Sequence, residues 1–337
     1  METLLTITSL STCFEQRQGL LKAVNDVSLS IKKGETLALV GESGSGKSMT
    51  ALSIMRLVPA PGRITHGRVE LHNQNLLELS EKEMTHIRGN KIGLILQDPL
   101  SALNPVMRIG RQISEVLRRH FSMSKREAKS KSLDLMERVH LPAVDKLYSS
   151  YPHELSGGLR QRVLIAIALA GEPDILIADE PTTALDVSVQ RDILNLLEKL
   201  KHDLHLSLLL ITHDLGVVAQ VADRVAVMYA GSIVEQAPKD MIFKAPLHPY
   251  TEMLLRAVPK IENRFNQQEE SQNVLHEGPP DLSNLHGGCP FHPRCNIADE
   301  ICQRTTPNEI QLQDQRKLKC FKRTTSHEKN VLDHFAH

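Results

Sequence analysis

The sequence has no tryptophan and few aromatic residues of any kind. Phe, Tyr and Trp together make up 3% of its 337 residues, so we do not expect stacking on bases or sugars to be its main means of binding. It also has no net charge, because 40 Lys and Arg balance 40 Asp and Glu. Without an excess of basic residues there is no simple electrostatic case for a nucleic-acid-binding protein, and we expect no nucleic-acid partner.

Long apolar runs are missing as well. The longest candidates are short, such as Leu206 to Ile211, whereas a membrane-spanning helix needs roughly 18 apolar residues. The first residues lack the basic start and long apolar stretch of a signal peptide. With 41% hydrophobic and 24% charged residues, the composition is that of an ordinary globular protein of about two domains. The default expectation is a soluble, cytosolic protein.

The first 235 residues alternate between short apolar runs and amphipathic stretches. The runs are nearly continuous in Ile, Val and Leu, which is typical of parallel strands covered on both faces by helices. This pattern predicts an α/β fold with strands at Thr36–Val40, Lys91–Leu96, Ile175–Ala178, Ser207–Thr212 and Arg224–Tyr229. Residues 104–170 instead show helical periodicity, as in Ile109–Arg119 and Lys125–Val139. Residues 259–288 are polar and rich in Gln, Asn, Gly and Pro, which predicts a linker.

A glycine-rich segment follows the apolar strand Thr36–Val40 directly. Residues 41–48, GESGSGKS, match the pattern G-x-x-x-x-G-K-[ST], and a helix-compatible run follows from Met49 to Leu57. Glycines let backbone N–H groups turn inward around phosphates, the lysine supplies a positive charge, and the serine hydroxyl can ligate Mg²⁺. We therefore predict a nucleoside triphosphate site formed by Gly41, Ser43, Gly44, Ser45, Gly46, Lys47, Ser48 and Met49.

Two adjacent acids end another apolar strand. Asp179 and Glu180 close the segment DILIADE, and the carboxyl ends of parallel strands are where α/β proteins bind ligands. We predict that Asp179 holds Mg²⁺ and that Glu180 orients or deprotonates the attacking water.

Further motifs follow in a fixed order, and together they resemble those of the ATP-binding-cassette ATPases over residues 1 to about 320. The segment LSGGLRQR at residues 155–162 resembles the signature motif of that family, and ALD at residues 184–186 resembles its D-loop. The resemblance implies a P-loop NTPase fold of the ABC type, with a mostly parallel sheet flanked by helices and an antiparallel β subdomain. It implies site roles for Phe14 (adenine stacking, the weakest match), Gln97 (Q-loop and Mg²⁺), Ser156, Gly157, Gly158, Asp186 and His213 (the γ-phosphate switch).

Position 159 departs from the family pattern. Leu159 stands where the signature motif normally has Gln. The anion-binding groups precede this position, so we expect Leu159 to tune activity rather than abolish it. In this family the signature motif completes the ATP site of a second ATPase domain. Because the chain has one copy of each motif, the resemblance implies a pair of ATPase subunits, either two copies or two related chains.

Two segments resemble the oligopeptide and dipeptide importer branch of the family. These are QDPLSALNP at residues 97–105 and PLHPYT at residues 246–251. The resemblance implies an ATP-hydrolysing subunit that works with two transmembrane permease subunits and, indirectly, an extracytoplasmic solute-binding protein. Its implied location is peripheral, on the cytoplasmic face of the membrane. It also implies an ATPase domain over residues 1–258, with a helical subdomain inserted at about 99–168, and an extension over 259–337.

Other functions stay open at this point. An importer of nickel or another small solute is one alternative, and a soluble, non-transporting ATPase of the same family is another. A nucleotide-binding regulator without turnover is disfavoured because Lys47, Asp179, Glu180 and His213 are all present.

Four of the five cysteines lie near the C-terminal end, at Cys289, Cys295, Cys302 and Cys320. Without a secretion signal, a disulfide framework is not expected. Four thiolates can ligate zinc or an iron–sulfur cluster, but this spacing lacks the close C-x₂-C pairs of common metal motifs. Free thiols are an equal alternative on spacing alone. The importer resemblance implies a [4Fe-4S] cluster at these four positions. The fifth, Cys13, is expected to be a small buried residue.

Overall fold

The computed structural model describes residues 2–16, 19–183, 185–257, 287–312 and 315–323. The five predicted strands are all present with nearly the predicted ends, but the alternation begins only at Thr36–Val40, because residues 3–16 and 19–32 form two further strands in succession. The strands are β1 (Thr3–Gln16), β2 (Gly19–Lys32), β3 (Thr36–Val40), β4 (Gly62–Leu71), β5 (Gln74–Asn75), β6 (Ile92–Ile95), β7 (Ile175–Asp179), β8 (Ser207–Thr212), β9 (Arg224–Tyr229), β10 (Ser232–Pro238), β11 (Ile310–Gln311) and β12 (Lys317–Leu318).

The helices fall between these strands. They are α1 (Lys47–Ile54), α2 (Glu81–Ile87), α3 (Pro99–Ala102), α4 (Ile109–Phe121), α5 (Lys125–Arg138), α6 (Val144–Tyr148), α7 (Gly157–Leu169), α8 (Val187–Leu204), α9 (Leu215–Val221), α10 (Lys239–Lys244), α11 (Pro249–Arg256) and α12 (Glu300–Arg304). Within the described ranges, none of them is both long and apolar enough to cross a bilayer.

The described residues fall into two compact units. The first consists of the described residues within 1–5, 30–36 and 70–211, and the second of those within 6–29, 37–69 and 212–337. The predicted linker lies outside the described residues, apart from its last two positions, 287 and 288.

The first unit contains the parallel strands β6, β7 and β8, with β7 in the middle. Every residue of β7 and β8 is buried, which explains why both strands are apolar on both faces. Because β6 and β7 run parallel, with Ile95 opposite Ala178, the residues that follow them emerge at the same edge of the sheet.

Residues 104–170 of the first unit contain helices joined by loops and no strand, as the periodicity predicts. Helix α4 buries Ile109, Ile113 and Leu117 at intervals of four residues, which places one apolar stripe against its neighbours. Helix α5 begins at a capping box in which Ser124 and Glu127 each bond the other's backbone. The predicted helices at 109–119 and 125–139 are thus present with nearly the predicted ends.

The second unit has two sheets. In one, the strand order is β2-β1-β4; in the other it is β11-β12-β10-β9-β3. Strand β3 pairs with β9 in parallel, whereas β9, β10, β12 and β11 pair antiparallel. Strands β11 and β12 belong to the segment that carries the cysteines, so this segment extends the sheet of the second unit. The α/β class, with parallel strands, an antiparallel sheet and flanking helices, is confirmed.

Candidate functional site

The phosphate loop, residues 41–48, joins β3 to α1 in the second unit. Gly46 is the N-cap of α1 and adopts a left-handed conformation, with φ of +107°. A side chain there would place its Cβ 2.3 Å from the backbone oxygen of Ala23, so only glycine fits. The same holds for Gly41, whose Cβ would lie 2.2 Å from the oxygen of Met228. The helix therefore begins at Lys47, two residues before the predicted start at Met49, because Gly46 ends the loop.

Lys47 is buried and turned back over this loop. Its Nζ donates hydrogen bonds of 2.8 Å to the backbone oxygens of both Gly41 and Glu42. Ser43 and Gly44 are exposed at the tip, Ser45 is buried, and Ser48 and Met49 are half-buried in the first turn of α1. A glycine-shaped turn, a helix N-terminus and a lysine ammonium inside it are the groups that bind a polyphosphate, so the loop fits the predicted nucleotide.

The predicted acids lie at the end of β7 in the first unit. Asp179 is the last residue of the strand and is buried. Glu180 follows with φ of +46°, an uncommon conformation for a residue with a side chain and one that occurs at functional sites. Its N–H donates to the oxygen of Ile211 at 2.8 Å, which holds this turn against the end of β8.

The structure brings Glu180 and Gln97 together. The Nε2 of Gln97 donates a 3.0 Å hydrogen bond to the Oε2 of Glu180. The Oγ1 of Thr183 donates to the same oxygen at 2.8 Å. Thr183 was not predicted from the sequence, where its only signal is its position three residues after Glu180. The two donors fix the Glu180 carboxylate at the edge of the sheet.

The signature segment forms the N-terminus of α7 in the first unit. Ser156 is the N-cap and is exposed, and its side chain makes no capping hydrogen bond. Gly158 lies so close to α8 that an added Cβ would be 2.7 Å from Val189, so this glycine is required for packing. Leu159 is half-buried one residue further along. The segment is thus a helix N-cap, and the Ser156 hydroxyl is not used for capping.

Asp186 is the N-cap of α8, again without a side-chain capping bond. It is exposed, and so is the next side chain, Val187, which has 76% of its area accessible. The first D-loop residue, Ala184, lies outside the described residues. The end of the D-loop and the first residue of α8 therefore present a carboxylate and an apolar side chain on the surface.

His213 and Phe14 lie in the second unit. His213 is exposed directly after β8 and just before Asp214, which caps α9 by accepting from Gly216 N–H at 2.8 Å. Phe14 is half-buried on β1, where its ring packs against Gly62, since a Cβ added to Gly62 would lie 2.5 Å from the ring. The predicted site residues thus divide between the two units, with Gln97, Ser156, Gly157, Gly158, Asp179, Glu180 and Asp186 in the first.

The PLHPYT segment leads into α11, with His248 as the N-cap and Pro249 as the first helical residue. His248 is buried, and its Nδ1 accepts the N–H of Tyr250 at 3.1 Å. Burial lowers the pKa of His248 to about 3, which keeps the ring neutral and able to accept. The buried carboxylate of Glu235 on β10 accepts the N–H groups of Leu247 and His248, both at 2.9 Å. The segment is therefore anchored to the sheet.

The four C-terminal cysteines line one small cavity together with His248, Phe291 and His292, among others. None of the four is paired in a disulfide. Burial raises the pKa of Cys289 to about 11 and also raises the pKa of Cys295 and Cys320. Among the described residues, no group of three or more His, Cys, Asp or Glu side chains is placed to hold a metal ion. The iron–sulfur prediction gains no support from this arrangement, nor does the zinc alternative.

The fifth cysteine behaves as expected. Cys13 is 2% exposed, and its Sγ lies 3.6 Å from the Oγ1 of Thr65.

Comparison with known proteins identifies the family. A model of the ABC transporter family matches residues 24–183. The chain is also 46% identical over 322 residues to the oligopeptide transport ATP-binding protein AppD of Bacillus subtilis, with 95% of this chain and 97% of AppD covered. The chain belongs to the ABC transporter ATP-binding proteins. The predicted resemblance, the ABC-type fold and the ATPase class are thereby confirmed.

Two further matches describe this ABC protein more closely. A model of the oligopeptide/dipeptide transporter C-terminal region matches residues 234–302. The oligopeptide transport ATP-binding protein OppD of Bacillus subtilis is 47% identical over 319 residues, covering 94% of this chain and 88% of OppD. Among solved structures, the chain is similar to the ATP-binding cassette MJ0796 in a dimeric post-hydrolysis state bound to ADP and Pi. The TM-score is 0.64 and the identity 29%, and the match covers 70% of this chain and 99% of MJ0796.

Proposed function

We propose that this chain is the ATP-hydrolysing subunit of a membrane importer for dipeptides or oligopeptides. The observation that carries the proposal is the match of residues 234–302 to the oligopeptide/dipeptide transporter C-terminal region. The same chain has a phosphate loop that fits a nucleotide and a Glu180 carboxylate held by two hydrogen-bond donors. The names of its relatives AppD and OppD, both oligopeptide transport ATP-binding proteins, support peptides as the solute.

In this proposal each site residue has a defined role. Lys47 and the phosphate-loop N–H groups bind the phosphates of ATP, and Ser48, Asp179 and Gln97 would hold Mg²⁺, which neutralises phosphate charge when bound. Glu180 orients or deprotonates the attacking water, with its carboxylate held by Gln97 and Thr183. His213 senses the γ-phosphate, and Phe14 contacts the adenine.

Two ATPase subunits are needed for a complete site. The exposed Ser156, followed by Gly157 and Gly158 at the start of α7, would contact the nucleotide of a partner subunit. The exposed Asp186 and Val187 would contact the partner's surface. The dimeric state of the similar cassette MJ0796 supports such a pair.

The other partners would be membrane proteins. Leu100 and Val106, in the segment after Gln97, expose 58% and 82% of their area, and apolar side chains on a surface are suited to protein contacts. We assign this surface to two permease subunits, at the cytoplasmic face of the membrane, with a solute-binding protein acting indirectly on the far side. The domain division at residue 258, with the insertion at about 99–168, is part of the same proposal.

Exchange of Glu180 for Gln tests the catalytic part. The Gln side chain keeps the size but cannot take a proton, so Glu180→Gln should lower kcat for ATP hydrolysis about 10²- to 10⁴-fold while ATP still binds. Glu198→Gln, at an exposed position on α8, is the matched control and should retain turnover. Normal turnover in Glu180→Gln would overturn the assignment.

Transport by the assembled complex tests the solute. Cells that lack this chain should lose uptake of labelled di- or oligopeptides and regain it with the wild-type chain but not with Glu180→Gln. The chain should also co-purify with permease subunits. Unchanged peptide uptake with loss of nickel uptake would favour a metal importer, and association with ribosomes instead of membranes would favour a soluble ATPase.

The [4Fe-4S] cluster stays a proposal for Cys289, Cys295, Cys302 and Cys320. It rests on the resemblance of this segment to the importer family and on the fact that four cysteine thiolates are the usual ligands of such a cluster. Anaerobic purification followed by iron, sulfide and zinc analysis is the test. Four irons and four sulfides per chain would support the cluster, whereas stoichiometric zinc or no metal would overturn it.

A further inference from the structure

Arg294 forms a two-pronged ion pair with a residue of the phosphate loop. Its two terminal nitrogens, Nη1 and Nη2, each donate a 2.8 Å hydrogen bond to one carboxylate oxygen of Glu42. The Arg294 side chain is 8% exposed and that of Glu42 is 22% exposed. A largely buried, bidentate pair of this kind has a defined geometry and is stronger than a surface ion pair.

The Arg294 side chain is held in place by two aromatic rings of the second unit. The residue ends the short 3₁₀ helix His292–Arg294, between Cys289 and Cys295. Its guanidinium carbon lies 5.8 Å from the ring centre of Tyr229 and 5.9 Å from that of Phe291. Cation–π contacts at this distance are favourable and restrict the side chain.

A second residue holds Glu42 from the same side. The Oη of Tyr250 accepts the backbone N–H of Glu42 at 2.9 Å. The ring of Tyr250 packs against Tyr229, with ring centres 4.5 Å apart, and against Phe291, at 5.4 Å. The N–H of Glu42 is therefore bonded to a member of one aromatic cluster, formed by Tyr229, Tyr250 and Phe291. Its carboxylate is bonded to Arg294, whose guanidinium packs on two rings of the same cluster.

The third polar group of Glu42 connects it to the phosphate-binding lysine. Its backbone oxygen accepts from the Nζ of Lys47. Glu42 is the second residue of the phosphate loop, so holding it restrains the loop that must present its N–H groups to phosphate. A loop already held in the binding conformation loses less entropy when the ligand arrives, which raises affinity.

We propose that Arg294, in the cysteine-bearing C-terminal segment, and Tyr250, in α11, are positioning residues for ATP binding that hold the phosphate loop in its binding conformation. Neither residue needs to contact ATP, since both act through Glu42. This inference rests on the proposed ATPase function but not on the transported solute.

Equilibrium binding of a fluorescent ATP analogue with Mg²⁺ to the purified full-length chain tests the inference. Arg294→Met keeps most of the aliphatic stem and removes both hydrogen bonds, and it should raise Kd about tenfold. Arg294→Lys keeps the charge without the planar fork and should recover part of the affinity. Tyr250→Phe removes one acceptor and should raise Kd about threefold. Arg304→Met removes an exposed ion pair to Glu300 in the same segment and should leave Kd unchanged.

A double-mutant cycle shows whether Arg294 acts through Glu42. In the Glu42→Gln background, Arg294→Met should have little further effect, because the pair is already weakened. In ATP hydrolysis, Arg294→Met should raise KM about tenfold while kcat at saturating ATP stays within twofold, a split that general destabilisation does not produce. The iron and zinc content of each preparation is measured as well, so that a change at the neighbouring cysteines is recognised.

Three results would overturn the inference. The first is a Kd within twofold of wild type for Arg294→Met, Arg294→Lys and Tyr250→Phe. The second is additive effects of Arg294→Met and Glu42→Gln, which would show that the two residues act independently. The third is a loss of thermal stability with an unchanged KM, which would indicate a purely structural role. A wild-type chain that failed to bind ATP would overturn the proposed function instead, and this inference with it.

Discussion

The side-chain amide of Gln97 donates a 3.0 Å hydrogen bond to the carboxylate of Glu180, although 83 positions separate them in the sequence. The contact follows from the sheet. Strands β6 and β7 are parallel neighbours, and Gln97 and Glu180 each follow the end of one of them. The geometry places an uncharged hydrogen-bond donor beside the acid that is proposed to activate water.

Replacing Gln97 by Glu should therefore change the pH dependence of ATP hydrolysis. Two carboxylates at this distance cannot both ionise easily, so the pKa of one of them rises. Because the proposed role of Glu180 needs the ionised form, the acidic limb of the kcat profile should move at least about one pH unit upward. Gln97→Ala removes the amide without adding charge; it should lower kcat and move the limb upward by less than Gln97→Glu, because only a hydrogen bond to the ionised carboxylate is lost. An unmoved limb in Gln97→Glu would contradict the prediction.

Glycines of the phosphate loop should differ in their tolerance of a methyl group. Gly44 and Gly46 both have positive φ, but an added Cβ meets no atom within 4 Å at Gly44 and lies 2.3 Å from a backbone oxygen at Gly46. Gly44→Ala should cost about 1–2 kcal/mol of unfolding free energy from conformation alone. Gly46→Ala should cost at least about twice as much, because the backbone must also move. Denaturant unfolding without nucleotide compares the two, and equal losses would refute the argument.

His248 should make the fold sensitive to acid. Its pKa is lowered to about 3 by burial, whereas in the unfolded chain it is about 6.5. Between these two pH values the unfolded chain binds a proton that the folded chain does not. Protonation of His248 therefore lowers the free energy of unfolding as the pH falls. The loss is roughly 1.4 kcal/mol per pH unit.

Exchange of His248 for Asn isolates this effect. The Asn side-chain oxygen can still accept the N–H of Tyr250, as in an Asx turn, but it does not titrate. The unfolding free energy of His248→Asn should therefore decline less steeply than that of the wild type between about pH 6.5 and 4. Unfolding curves at several pH values provide the measurement, and parallel declines would contradict it.

Arg316 should contribute strongly to the stability of the fold, because it lies beside a buried carboxylate. Its Nη1 lies 3.5 Å from the Oε1 of Glu235, with side-chain exposures of 4% and 0%. Burial raises the pKa of Glu235, because ionising its carboxylate costs free energy in the folded state. This cost increases if the positive charge of Arg316 is removed. Arg316→Met should lose about 3–5 kcal/mol near neutral pH. The loss, relative to wild type at the same pH, should shrink as the pH falls through the folded-state pKa, because Glu235 then takes a proton.

The double variant Glu235→Gln with Arg316→Met is the matched control. It removes both charges and should recover much of the stability lost in Arg316→Met. A double variant no more stable than Arg316→Met at neutral pH would show that lost packing, rather than an unpaired charge, causes the defect.

Local patterns in the sequence were enough to locate much of the fold. Strands β8 and β9 have the predicted bounds, Ser207–Thr212 and Arg224–Tyr229, because strands buried on both faces are marked by continuous apolar residues. Helix α1 was predicted two residues late, since periodicity alone does not show that Gly46 ends the loop. Strands β11 and β12 were missed, because two-residue strands carry no period of their own and exist only through pairing with β10.

The phosphate loop, the acids at the end of β7 and the family motifs can all be located from the sequence, because each depends on residues that are adjacent in the chain. Which distant groups meet them depends on the fold. Thr183 joins Gln97 at Glu180, and Arg294 reaches Glu42 across 252 positions. Such contacts depend on strand order and on the packing of an aromatic cluster. No local sequence pattern shows strand order or aromatic packing. The contact between the cysteine-bearing segment and the phosphate loop is therefore visible only in the folded structure.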